Sequence, residues 1–245
     1  VLVAFEGIDG AGKTTQAQAL VESLASVGYD VVYAKEPTDG PWGRKIRLSA
    51  ESGRMPLEEE LAAFLEDRRE HVRDFLIPSL AAGKIVVLDR YYFSTAAYQG
   101  ARGCDPAEIL RTNESFAPPP DMLVILEIPV LVSLERIRIR GGYAVNHFEE
   151  AAALARSAEI FGSLELPYIR RFDGTRGIDD LACSILNEVQ LGPISDARIP
   201  SRGPCIPPEQ VPRILDEVRR IKDDDSIAVE DKARAAFETM LRGFR

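Results

Sequence analysis

Five short apolar runs, Val1–Phe5, Asp30–Ala34, Lys84–Leu88, Met122–Ile128 and Tyr168–Phe172, punctuate the chain. Most are rich in Val, Ile and Leu without polar alternation, the pattern of strands buried on both faces of a parallel sheet. Between them, apolar residues recur at helical spacing over Thr14–Val27, Leu57–Leu80, Phe93–Gly100, Pro106–Phe116, Pro129–Arg140, Phe148–Phe161 and Ile178–Val189. This alternation predicts an α/β domain over residues 1–190, a three-layer fold with a parallel five-stranded sheet flanked by helices. Ligands of such sheets bind at the carboxyl ends of the strands. Those ends carry Gly7 onward, Glu36-Pro37 and Asp89-Arg90.

The pattern changes after Leu191. Pro193, Pro200, Pro204, Pro207 and Pro208 mark residues 191–208 as an irregular, Pro-rich linker. Val211, Ile214, Leu215, Val218 and Ile221 then share one helical face. Val229, Ala233, Phe237, Met240, Leu241 and Phe244 share another, with Asp223–Ser226 as the turn between. Residues 209–245 are therefore expected to form a helical hairpin extension. A unit this small rarely supplies its own core, so its apolar stripe is expected to pack on the main domain, a second subunit or another protein.

Composition narrows the function. The formal net charge is −9, and the tail from 192 onward is electrically balanced, so the acidity resides in the first 191 residues. No broad basic footprint is offered to nucleic acid, and a small anionic ligand held locally is expected instead. No apolar run approaches the ~18 residues of a membrane span, and the chain enters a strand without a basic n-region before an apolar segment. The protein is expected to be soluble and cytoplasmic, with no membrane partner. Cys104, Cys183 and Cys205 are odd in number and form no CxxC pair, so neither a disulfide framework nor a zinc site is indicated.

The chemistry begins at Gly7-Ile8-Asp9-Gly10-Ala11-Gly12-Lys13-Thr14, a complete GxxxxGK[ST] phosphate loop between the first strand and the first helix. Its glycines let successive backbone N–H groups turn inward as an anion nest at a helix N-terminus. Lys13 adds a charge for the β- and γ-phosphates, Thr14 offers a hydroxyl to Mg²⁺, and Thr15 completes the cradle. Val86-Val87-Leu88-Asp89 is an apolar strand ending in a carboxylate, the placement that sets an acid beside the Mg²⁺ of a phosphate-loop enzyme. Arg90 follows, with a fork suited to a second phosphate.

On the next helix, Phe64 and Arg68 stand one i,i+4 step apart and offer an aromatic plane and a guanidinium to one flat ligand. Phe64 also continues an apolar series with Leu57, Leu61 and Leu65, so a core role for it stays open. Arg136, Arg138 and Arg140 precede Gly141-Gly142, where a solvated helix face and a phosphate-closing cluster are both readings of the same charges.

These residues resemble the thymidylate kinase family, whose members convert dTMP and ATP to dTDP and ADP. The resemblance rests on Phe5 to Gln16 with its internal Asp9, on Glu36-Pro37-Thr38, on the Phe64 and Arg68 pair, and on Asp89-Arg90-Tyr91 continued by Ser94 to Gly100. It implies that Phe64 stacks on thymine and Arg68 bonds the base edge, with Thr95 and Ser94 reading its polar face. Tyr98 would lie against the deoxyribose with Gln99 beside it, Asp9 would hold the 3′-hydroxyl, Arg90 the acceptor phosphate, and Glu36 belongs to the same site. Asp89 would act near Mg²⁺. Because Asp9-Gly10-Ala11 contains no arginine, the resemblance is to bacterial-type members, whose catalytic arginines lie in the lid, here about 136–149. Arg136 and Arg140 share a helical face and are the expected pair.

The chain departs from the family at Asn146-His147-Phe148-Glu149, where many relatives carry Asp-Arg-x-Glu, and in its tail. A homodimer is expected by the same resemblance. A kinase for another nucleotide, such as dUMP, remains an alternative, as does a nucleotide-binding regulator without turnover. A signalling GTPase is disfavoured, since no Asn-Lys-x-Asp segment occurs.

Overall fold

The computed structural model describes residues 1–141 and 147–195, the side chains of 51, 52 and 147–150 excepted. The strands are β1 (Leu2–Glu6), β2 (Val31–Lys35), β3 (Ile85–Asp89), β4 (Met122–Glu127) and β5 (Ile169–Asp173), within a residue or two of the apolar runs. They form one parallel sheet in the order β2-β3-β1-β4-β5. β1 and β3 are buried throughout and β4 in all but its last residue, which is why their sequences read as unbroken apolar runs. The outer strands are less covered, β2 mostly half-buried and β5 mostly exposed, and they carry Lys35, Arg170 and Arg171, as edge strands do.

The helices are α1 (Lys13–Ser26), α2 (Pro41–Ser52), α3 (Leu57–His71), α4 (Ile77–Ala81), α5 (Tyr92–Gly100), α6 (Pro106–Glu114), α7 (Val130–Ile139), α8 (His147–Ser163) and α9 (Ile178–Leu191). α1 turns Gln16, Ala17, Leu20 and Leu24 inward at i, i+4 and i+3 steps, and α9 answers with Leu181, Ile185 and Val189. Asp105 caps α6 by accepting from the Ala107 N–H at 2.9 Å, with Pro106 in the first helical position.

Two features depart from the sequence pattern. The long helix expected over Leu57–Leu80 is continuous but passes through a π-helical turn at Val72–Leu76 between α3 and α4. α2 was not expected at all. Its interior is mostly polar, with Ile46 its buried apolar anchor, and Gly43 lies so close to the preceding loop that a Cβ there would meet the Thr38 carbonyl oxygen at 1.9 Å. A helix held by close backbone contact, rather than by an apolar stripe, leaves little periodicity to read.

Of the segment expected as a linker, residues 192–195 fold back on α9, with Ile194 buried and its N–H donating to the Val189 carbonyl at 3.2 Å. The rest of that linker, the hairpin at 209–245 and Cys205 lie outside the described residues, as do lid residues 142–146 and the side chains of His147, Phe148 and Glu149. No described helix is long and apolar enough to cross a membrane.

The tightest constraint on the sheet is Gly7, at the exit of β1. Its φ of 134° is one that side chains rarely adopt, and a Cβ would meet the Leu126 carbonyl oxygen of β4 at 2.4 Å. Gly7→Ala is expected to destabilise the fold by about 1–3 kcal/mol, the range for a residue forced into a sparsely populated conformation. Urea unfolding measures it, and a change below about 0.5 kcal/mol, typical of surface substitutions, would contradict this account of the turn.

Candidate active site

The three central strands deliver charge to one edge of the sheet. The loop after β1 wraps over the start of α1, with Gly10 and Gly12 at φ 81° and 98° turning the backbone through conformations favoured by glycine. α7 backs the loop: Ser133 Oγ donates to the Asp9 carbonyl at 2.6 Å, and Arg136 Nη1 donates to the carbonyls of Gly10 and Gly174 at 3.1 and 3.0 Å. Lys13 is buried and donates to the Gly7 and Ile8 carbonyls, both at 2.9 Å. Burial and the nearby Arg90 guanidinium pull its ammonium down to about 7, against Asp9, Glu6 and Asp89.

Thr14 Oγ1 donates to Asp89 Oδ2 at 2.5 Å, and the Tyr33 hydroxyl reaches the same oxygen at 3.2 Å. Asp89 Oδ1 is buried with no hydrogen-bond partner among the described residues. A hydroxyl and an unsatisfied carboxylate oxygen beside a phosphate cradle are the donor set that a hard divalent cation takes.

Arg90 holds the junction between loop and strand. Its φ of 70° puts a non-glycine residue in the left-handed region, a strain concentrated at functional sites. The backbone is tied by its N–H to the Phe5 carbonyl at 3.0 Å. The side chain pairs closely with Asp9, donates to Ser94 Oγ at 3.2 Å and lies 5.5 Å from the Tyr98 ring centroid. Burial opposes the charge on Arg90, but Asp9, Tyr98 and Glu6 outweigh it and raise its pKa. Burial likewise opposes ionisation of Asp9, yet Arg90 and Lys13 hold that carboxyl below its ordinary value.

On the far side of Arg90, a cleft is lined by Asp9, Glu36, Phe64, Arg68, Thr95 and Tyr98, with Arg90, Ser94 and Gln99 also on its wall. Phe64 is half-exposed and stands apart from the buried core, so its ring serves the cleft rather than the core series. Arg68 is buried, and its fork is largely occupied: Nε donates to Glu36 Oε2 at 2.8 Å, Nη1 to Asn113 Oδ1 at 2.7 Å and Nη2 to Thr95 Oγ1 at 3.1 Å. The other oxygen of Glu36 meets His71 Nδ1 at 2.9 Å. Burial works to raise the Glu36 pKa, but Arg68 and His71 outweigh it and lower it. A second groove, between the loop and the start of α9, is lined by Gly12, Thr15, Gln16, Arg136, Arg140 and Ile178. Arg140 also faces Lys13 and Thr14, whereas Arg138 is exposed and pairs with Glu135.

Most residues named from the sequence fall on two clefts that meet at Asp9 and Arg90; Asp89 is buried against Thr14, Arg136 lines the groove beside α9, and Arg138 stands apart, exposed and paired with Glu135. Sequence reasoning gave no part to Glu6, Lys35, His71, Asn113 and Ser133. Lys35 lines the phosphate-side cleft with Lys13, Arg90 and Arg140. Glu6 is fully buried beneath α5, accepting from the N–H groups of Tyr91 and Ser94 at 2.7 and 2.9 Å and from Ser94 Oγ at 2.6 Å. It supplies from another strand the carboxylate that a helix N-terminus favours. The signal was present, since β1 ends in a carboxylate just as β3 does.

A parallel sheet with this strand order, a phosphate loop on its central strand and a second concave site facing the loop define a phosphate-loop nucleotide kinase. The chain matches the thymidylate kinase family over residues 5–167. A thymidylate kinase of Desulfotalea psychrophila is 48% identical over 190 residues, covering 77% of this chain and 94% of that relative. One from Akkermansia muciniphila is 49% identical over 190 residues, covering 78% and 91%, and one from Xylella fastidiosa is 47% identical over 189 residues, covering 77% and 90%. The chain belongs to the thymidylate kinase family.

Burial pushes the Glu6 carboxyl up to about 7 from 4.5, with Ser94, Arg90 and Tyr91 working the other way. The folded state therefore holds this proton more tightly than the unfolded chain. Its contribution to stability is complete below pH 4.5 and is lost as pH rises to about 7. Glu6→Gln, which keeps the shape of the protonated acid, should remove this loss, on the order of 3 kcal/mol at most. Urea unfolding at pH 5 and pH 7.5 reads the difference, and an identical pH dependence in the two proteins would refute the assignment.

Proposed function

We propose that the protein transfers the γ-phosphoryl group of ATP to dTMP, giving dTDP and ADP for dTTP synthesis. The observation that carries this reading is the meeting of two clefts at Asp9 and Arg90, one with a phosphate cradle and the other with an aromatic plane and a buried guanidinium.

In this reading the ATP phosphates lie on the loop from Gly7 to Thr15, and Lys13 exchanges its contacts to the Gly7 and Ile8 carbonyls for phosphate oxygens. dTMP occupies the second cleft. Phe64 stacks on its base, Arg68 and Thr95 bond its edge with Ser94 and Gln99 nearby, and Tyr98 lies against the sugar. Asp9 takes the 3′-hydroxyl, and Arg90 directs the acceptor phosphate toward the loop. Glu36 acts on this cleft by orienting Arg68. Thr14 and Asp89 would hold Mg²⁺, which when bound neutralises charge on the β- and γ-phosphates.

No general base is required, because the attacking phosphate oxygen is already ionised. The protein's part is to align donor and acceptor and to surround the transferred group with cations, Lys13 and Arg90 from the clefts and Arg136 and Arg140 from the lid.

A homodimer fits one further feature. α3 buries Glu60, Ala63, Asp67 and Arg68, while Leu57, Leu61 and Leu65 stay half-exposed. An apolar stripe left at the surface of a helix is suited to a second copy. Leu61→Arg is expected to halve the mass measured by light scattering, and an unchanged mass would remove this face as the dimer contact.

The reaction is tested by ADP release with dTMP, dUMP, dCMP, GMP and thymidine as acceptors. dTMP should be used most efficiently, with the margin over dUMP limited to about 10–200-fold because one methyl group distinguishes them. A preference for any other acceptor would overturn the assignment, and saturable binding of both nucleotides without product would favour a regulator. Lys13→Ala should lower kcat by about a hundredfold or more, the scale for losing one donor to developing charge.

A further inference from the structure

The contacts of Arg68 account for nearly its whole guanidinium. Nε and Nη2 both lie 2.8 Å from Glu36 Oε2, Nη2 is also 3.1 Å from Thr95 Oγ1, and Nη1 is 2.7 Å from Asn113 Oδ1. A guanidinium carries five N–H groups. Three make hydrogen bonds, to Glu36, Thr95 and Asn113, the second on Nη2 lies against Glu36 within ion-pair distance, and one on Nη1 is left beside the cleft that Arg68 lines.

Asn113 decides which one is left. It is fully buried on α6, and its amide has one orientation that satisfies both ends: Nδ2 donates to the Ile109 carbonyl at 2.7 Å, so Oδ1 faces Arg68. Glu36 fixes the opposite edge of the guanidinium and is itself held by His71. The plane is thus clamped from α6 on one side and from the end of β2 on the other.

We propose that Asn113 is a specificity-determining residue for the acceptor base, acting as a positioning residue through Arg68. By engaging one of the two Nη1 hydrogens, it leaves the cleft a single donor of fixed direction. A base with a carbonyl at that edge, as in thymine or uracil, accepts from this donor. A base with an exocyclic amine there, as in cytosine, sets donor against donor and leaves both unpaired, which a site of this kind rejects strongly. The inference rests on the acceptor reading given above.

Without Asn113, Glu36 and Thr95 still retain Arg68, but Nη1 keeps two unpaired hydrogens and the fork loses its third fixed point. Asn113→Ala in the full chain should raise the KM for dTMP about tenfold and lower the dTMP to dCMP ratio of kcat/KM by about tenfold, the effect of losing a hydrogen bond to a charged group. The KM for ATP should stay within about twofold, because among the described residues the Asn113 side chain bonds to Arg68 and Ile109 and not to the phosphate loop. General loosening of the fold would move both KM values together. Asn113→Asp keeps an acceptor of the same size facing Arg68, with its second oxygen protonated to donate to the Ile109 carbonyl as Nδ2 does, and should retain the selectivity within about twofold, which tests the idea even if the alanine variant does not fold.

Three results would overturn the proposal: a folded Asn113→Ala with unaltered selectivity, a parallel rise in both KM values, or a tenfold loss of selectivity in Asn113→Asp. A wild-type protein that does not prefer dTMP to dCMP would remove the acceptor reading and this inference together. A selective wild type with an equally selective alanine variant would remove this inference alone.

Discussion

The pairing of Asp9 with Arg90 is the contact on which the site depends. It joins the loop after β1 to the residue after β3, two segments brought side by side by the parallel pairing of those strands. Around it lie Glu6, Lys13 and Asp89, all buried. Charges placed this deep destabilise a fold unless they meet partners, and here each carboxylate has a cation, a hydroxyl or a backbone N–H against it. The left-handed backbone of Arg90 belongs to the same economy of space, since it turns the guanidinium back toward the loop instead of along the helix that follows. A cluster of this kind keeps its geometry before any nucleotide arrives, so little has to reorganise when one does.

Much of this was legible in the sequence, for a physical reason. A strand buried on both faces has no choice but to be apolar, so β1, β3 and β4 announced themselves, and the polar residues that ended them marked the working edge. The phosphate loop was equally plain, because its glycines are required by φ angles that other residues rarely adopt. Arg90, Phe64 and Arg68 were found by type and spacing and Asp9 through the family resemblance, and all four line the cleft.

What stayed hidden follows from the same logic. Asn113 and His71 act through partners far away in the chain, 45 residues from Arg68 and 35 from Glu36 respectively, and no local pattern reports such a meeting. α2 escaped because backbone proximity, not an apolar stripe, holds it. α3 inverts the usual rule, burying Glu60, Asp67 and Arg68 while its leucines stay half-exposed, so hydrophobic periodicity locates the helix without telling which face turns inward. Polar burial on that scale occurs where a site, and not a core, is being built.

Arg136 gives the last of these features a kinetic meaning. At rest its Nη1 spans the carbonyls of Gly10 and Gly174, stapling the phosphate loop to the turn that leads into α9. Nη1 alone makes both contacts, which leaves the Nε and Nη2 edge of the guanidinium beside the groove that Arg136 lines. Its charge is therefore held by a structural tie, and any movement of this side chain that breaks the tie frees the loop and the α9 turn together.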